Sequence, residues 1–227
     1  MNPANSRANL ALCDPTLIAN SEPSERGTGV FSLTGSSLAG SEHYPEAMSI
    51  RTLSTREIYR NPWLRLREDQ IERSNGARGI YGVVEKDDCA IIIPIEGDTV
   101  YLIEQFRYTI QQRALELPQG GWETADVDPE DLARGELREE TGLSAKKMTR
   151  LGEMWVAYGF ARQKMHVYVA TGLTPGGTDP DPEEHDLVLR TATVAQFENM
   201  ILDGAIRDDC TIAAWGLYRL WKDKSSL

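Results

Sequence analysis

Residues 89–95 read CAIIIPI, an uninterrupted apolar run with no charged position. A run this short and this rich in isoleucine predicts a strand buried on both faces. The chain after Met48 is patterned around it. Segments 52–60 and 63–73 read as strands, Asn75-Gly76 supplies a hairpin turn, and 79–85 forms the returning strand. Glu96-Gly97-Asp98 turns 89–95 into 99–107 (TVYLIEQFR), and a short strand at 114–117 leads to a glycine-rich bend. Strands near 150–156, 164–171 and 186–192 follow, with a Pro/Gly/Asp loop at 174–182 and two closing helices near 194–203 and 208–222.

With 227 residues, 41% hydrophobic and 26% charged, the chain has enough apolar material for one domain with an appendage. Residues 1–47 are rich in Ser, Gly, Pro, Asn and Thr, contain no Lys and sustain no apolar period, so they predict a disordered extension. Lys plus Arg number 24 against 35 Asp plus Glu, a formal charge of −11. That balance argues against nonspecific binding to nucleic acid or to an anionic membrane, both of which need surplus cations. Cys13, Cys89 and Cys210 form no CxxC pair and read as reduced thiols. No apolar stretch is long enough to span a membrane, and no basic patch with an apolar run marks a secretory signal. A transit peptide is opposed by the few arginines, Arg7 and Arg26, among several acids. The expected location is the cytoplasm.

One helix is sharply delimited. Asp128 is a good N-cap, Pro129 suits the first helical position, Glu130 and Asp131 complement the positive end, and Gly142 stands where a left-handed C′ residue belongs. Between these signals, Glu136, Glu139 and Glu140 fall at i, i+3 and i+4 on one face, beside a stripe of Ala133, Leu137 and Thr141 that can pack inward. Like charges at this spacing repel. Oxygen ligands of this type suit Mg²⁺ or Mn²⁺, which would relieve the repulsion; a solvated acidic face is the competing reading.

The full segment, GGWETADVDPEDLARGELREETGL over 120–143, resembles the Nudix hydrolase box G-x5-E-x7-R-E-U-x-E-E-x-G-U, with U apolar. Gly121, Glu136-Leu137, Glu139-Glu140 and Gly142-Leu143 match. Val127 stands where the first Glu is expected and Gly135 where the Arg is expected. The stretches LIEQFRY…LELPQGGWE and YGFARQKMHVYVATGLTPG look like the ADP-ribose pyrophosphatase branch. The resemblance implies an α/β/α sandwich around a mixed sheet at 87–227, a small N-terminal β subdomain at 48–86, and a homodimer. It also implies metal-dependent hydrolysis of the diphosphate in a nucleoside diphosphate sugar, with ADP-ribose giving AMP and ribose 5-phosphate. Two alternatives stay open. PQGG is also found in dinucleoside polyphosphate and RNA 5′-end pyrophosphohydrolases, and the two departures from the box suit a non-catalytic nucleotide sensor.

By the same resemblance, Glu136 and Glu140 are the first metal ligands, with Glu139 and the Gly120 carbonyl next. Glu139 is either a direct ligand or a water-facing residue. A base is expected from the late acidic loop DPDPEEHD, where Glu183, Glu184 and His185 are the candidates. Arg107 and Glu116 match substrate-contacting positions, Arg107 offering a planar fork to phosphate unless it is spent in a surface ion pair. Trp63, Tyr108, Trp122 and Tyr158 are either stacking platforms or, as is commoner, core aromatics.

Overall fold

The computed structural model describes residues 50–121, 127–176 and 186–225. The 1–47 extension, Trp122, and the candidate bases Glu183, Glu184 and His185 lie outside the described residues.

Strands β1 (Ile50–Arg60), β2 (Arg65–Arg73) and β3 (Arg78–Glu85) form an antiparallel meander. The β2–β3 turn is closed by the chemistry its sequence announces. Gly76 sits at φ 79 and donates its N–H to Arg73 O at 2.8 Å, while Asn75 Oδ1 accepts from Ala77 N at 3.0 Å. β2 starts later than the expected position 63. Asn61 Oδ1 accepts from Trp63 N at 3.0 Å and Leu64 N at 2.8 Å, which holds these residues in a turn.

Strand β4 (Cys89–Glu96) is buried at every position but its last, as the apolar run predicts. It turns into β5 (Thr99–Arg107), against which β6 (Gln112–Glu116) folds back. The two-residue β7 (Gln119–Gly120) bridges to β4, pairing Gln119 with Ile91 and Gly120 with Ala90. After α1 (Pro129–Thr141) come β8 (Leu143–Trp155), the short β9 (Ala161–Arg162), β10 (Lys164–Pro175), β11 (Val188–Thr193), α2 (Val194–Leu202) and α3 (Asp209–Ser225). Strand β8 begins well before the expected position 150 because its first residues, Leu143 to Ala145, pair with Leu173 to Pro175 at the far end of β10.

Two sheets result. One has four strands in the order β1-β2-β3-β9; the other has seven, ordered β11-β5-β4-β10-β8 with β6 beside β5 and β7 beside β4. The second sheet is mixed: β4 and β10 run parallel and their other neighbours antiparallel. Side-chain alternation along β4 feeds two cores. Ile91, Ile93 and Ile95 pack with Phe197 of α2 and with Ala214, Trp215 and Tyr218 of α3. Ala90 and Ile92 face the other way and pack with Leu132, Ala133 and Leu137 of α1. The outcome is the expected α/β/α sandwich with an N-terminal β region. Trp215 anchors the α2–α3 side, its ring centroid 4.4 Å from Phe197 and 5.0 Å from Tyr218. Its indole Nε1 donates to Glu198 Oε1 at 3.2 Å, so the buried ring keeps its polar atom paired. Among the described residues, no helix is long and apolar enough to cross a membrane.

Candidate active site

Helix α1 is held at both ends as its sequence predicts. Asp128 accepts from Glu130 N at 2.8 Å and Asp131 N at 3.4 Å. Gly142, at φ 68, donates its N–H to Arg138 O at 2.8 Å. Val127, immediately before the cap, packs in the same apolar cluster as Leu132 of the first turn. That is the arrangement of a hydrophobic staple. The position where the box expects a glutamate is therefore used here to fix how the chain enters the helix. Gly135, where the box expects an arginine, is buried in the helix interior.

The glutamates of α1 divide. Glu136 is 6% exposed and Glu140 4%, so both carboxylates are on the buried face with Ala133, Leu137 and Thr141. Glu139 turns outward: its side chain is 31% exposed and its carboxylate lies 3.4 Å from Arg138 Nη2. Opposite the buried pair runs β7. A Cβ on Gly120 would stand 2.6 Å from the Glu136 carboxyl carbon, so any larger residue here would displace that carboxylate. One residue earlier, Gln119 donates its backbone N–H to Glu140 Oε2 at 2.8 Å. The candidate ligands Gly120, Glu136 and Glu140 are thus brought together, with Glu139 at the rim. Two buried carboxylates beside the Gln119–Gly120 backbone are oxygen donors of the kind a hard divalent cation takes. The residues present fit such an ion.

Arg107 and Glu116 meet across the β5–β6 ladder. Glu116 is 1% exposed, and Arg107 Nε donates to its Oε1 at 2.8 Å while Nη2 contacts Oε2. The guanidinium fork expected to face phosphate is therefore partly spent on a neighbouring carboxylate. Burial works against the charge on Arg107, yet the Glu116 hydrogen bond and charge, with Glu140 and Asp208 nearby, hold its pKa above the ordinary value. Expectations from sequence left out two residues of this group. The Gln119 side-chain amide donates to Glu116 Oε2 at 2.9 Å and to Asp208 Oδ2 at 3.0 Å. Asp208 Oδ2 also accepts from Thr211 N at 2.8 Å, and Thr211 Oγ1 accepts from Leu117 N at 2.9 Å. The signals were an acid ahead of a helix and the glutamine of PQGG, neither of which points to the other.

A cavity of about 220 Å³ opens beside this network, lined in part by Lys86, Arg107, Gln119, Gly120, Cys89 and Cys210. Two cations in an acidic chain give an anionic ligand a local attraction that the net charge denies it. Both thiols are free, and burial pushes Cys89 up to about 12 and Cys210 higher still, so neither supplies a thiolate at neutral pH. The expectation that the aromatics are core does not hold for three of them. Trp63, Tyr108 and Tyr158 are 52%, 80% and 81% exposed, because they stand in the turns between strands.

Comparison with known proteins agrees with this geometry. Residues 50–84 match the nucleoside diphosphate sugar hydrolase N-terminal domain, and residues 86–214 match the NUDIX domain. The chain is similar to an ADP-ribose pyrophosphatase of Mycobacterium tuberculosis, 32% identical over 174 residues that cover 76% of this chain and 82% of the relative. It is also similar to a methanol dehydrogenase activator of Bacillus methanolicus, 28% identical over 72% of this chain and 89% of that protein. A crystal structure of an ADP compounds hydrolase superposes with a TM-score of 0.69 at 22% identity, covering 80% of this chain and 98% of its own. With its box on a capped helix, its buried glutamate pair and a domain match over more than half its length, the chain belongs to the Nudix family.

Proposed function

We propose that this chain hydrolyses the diphosphate of a nucleoside diphosphate sugar, ADP-ribose giving AMP and ribose 5-phosphate, with Mg²⁺ or Mn²⁺ bound. The observation that carries the reading is the pair of buried carboxylates beside one strand, Glu136 against the bare backbone of Gly120 and Glu140 on the Gln119 N–H. The names of the relatives and of the N-terminal domain support the substrate class.

Glu136, Glu140 and the Gly120 carbonyl would hold the cation, with Glu139 at the rim. A bound divalent ion supplies charge neutralisation to a diphosphate and acidifies water. The protein's own residues do the rest. Lys86 and Arg107 draw the phosphates into the cavity, Arg107 keeping its charge through Glu116. Gln119 N–H fixes one oxygen of Glu140, leaving the carboxylate oriented. Removal of the water proton falls to Glu183, Glu184 or His185 on sequence grounds. Residues 48–86 and 87–227 are proposed as subdomain and catalytic domain, with 1–47 an extension, in a cytoplasmic homodimer. Apolar side chains exposed on the first sheet, Ile50, Leu53, Ile58 and Ile80, favour cover by a second copy.

The test is a panel of ADP-ribose, other nucleoside diphosphate sugars, dinucleoside polyphosphates and RNA with a 5′-triphosphate, each with Mg²⁺ or Mn²⁺. Metal-dependent AMP from ADP-ribose, lost in Glu140→Gln, is the expected result. Turnover confined to the polyphosphates or RNA would move the substrate class, and binding of every compound without product would make the chain a sensor.

A further inference from the structure

We infer that Gln119 and Asp208 are positioning residues, a joint that ties the N-terminus of α3 to the acidic face of α1. The inference rests on the hydrolase reading for its kinetic consequence, though not for its geometry. Three carboxylates, Glu116, Glu140 and Asp208, act on the single Arg107 guanidinium. Coulomb repulsion among them favours separation, and one cation offsets only part of it. Gln119 donates to all three. Both hydrogens of its amide are spent, one on Glu116 at 2.9 Å and one on Asp208 at 3.0 Å, while its backbone N–H serves Glu140 at 2.8 Å.

Each end of the joint is anchored. The backbone of Gln119 is paired to Ile91 of the central strand, and Ile92 N donates to Pro118 O at 2.9 Å. Asp208 is held by Thr211 N, and Thr211, fully buried, accepts in turn at its hydroxyl oxygen from Leu117 N. The loop is closed: β6 end, β7, α3 start and back. A side chain of this length and two-donor chemistry is what lets the α3 end fix the direction of a backbone N–H aimed at a metal-holding carboxylate. The role of Asp208 is that of an acceptor, so its charge is dispensable and its oxygen is not.

The experiment uses the full chain, with Mn²⁺ uptake measured calorimetrically and ADP-ribose turnover measured against Mn²⁺. Gln119→Ala and Asp208→Ala should each raise the half-saturating Mn²⁺ and lower kcat by about tenfold, as loss of residues that orient ligands does, while KM for ADP-ribose changes less. Asp208→Asn keeps the acceptor and should restore both to within about twofold of wild type, and the double alanine variant should be no worse than either single. Additive losses, a wild-type Mn²⁺ response in Gln119→Ala, or an Asp208→Asn as damaged as Asp208→Ala would overturn the inference. The last outcome would mean that the charge of Asp208, not its acceptor oxygen, is what the site uses. Wild-type protein that takes up Mn²⁺ but releases no AMP would sink the hydrolase reading alone, because the uptake series still reads the joint.

Discussion

Gly120 and Glu136 are packed so closely that a methyl group on the one would occupy the space of the other's carboxylate. The obstruction is the far end of a flexible side chain, so relief is easy for the fold and ruinous for the site. Gly120→Ala should therefore lower turnover by about 100-fold through displacement of Glu136. Thermal melting should move little. A coincident collapse of melting temperature would show that Gly120 serves the fold instead.

The buried Glu116 carboxylate depends on Arg107. Arg107→Ala leaves it beside Glu140 and Asp208 without its cation, and should destabilise the protein by about 2 kcal/mol, below the range for a wholly buried pair because the guanidinium is half exposed. Adding Glu116→Gln to that variant should recover part of the loss in chemical denaturation. Arg107→Lys should behave nearer to alanine than to wild type, since an ammonium cannot reproduce the two-point contact.

Much of this was legible in sequence, and the boundary is physical. Helix α1 could be read to the residue because Asp128, Pro129 and Gly142 act on their own neighbours. Strand β4 and the Asn75-Gly76 turn were legible for the same reason. The early start of β8 was not, because it is set by a partner strand at 173–175. Nor was the Gln119–Asp208 bond, which joins residues on opposite sides of the domain sequence. The division of the acidic trio followed the same rule. Helical spacing places Glu136, Glu139 and Glu140 on one face, but only packing against β7 and the sheet decides that Glu139 is left at the rim.

Helix α1 also offers a test of its own start. Asp128→Ala removes the acceptor for Glu130 N and Asp131 N, and should cost about 1 kcal/mol. For a chain of this size that is a fall in melting temperature of about 2–4 °C. Asp128→Asn, which keeps the acceptor, should fall by less.

Glu104 gives a pH signature. It accepts from Arg113 and Arg190, whose hydrogen bonds and charges hold its carboxyl below the ordinary range. A depressed folded pKa means the stabilisation is complete above the unfolded value and is lost as pH falls through the folded one. The melting-temperature gap between wild type and Glu104→Gln should be widest at neutral pH. It should close as pH drops below about 4.3, the ordinary glutamate value. A gap that widened in acid would reverse the assignment.

The most direct measurement is calorimetric titration of Mn²⁺ into wild type, Glu136→Gln and Glu140→Gln with a non-hydrolysable ADP-ribose analogue present. Saturable uptake by wild type and its loss in both variants, with all three still folded, is the expected result. Equal uptake by all three, or none by wild type, would contradict it.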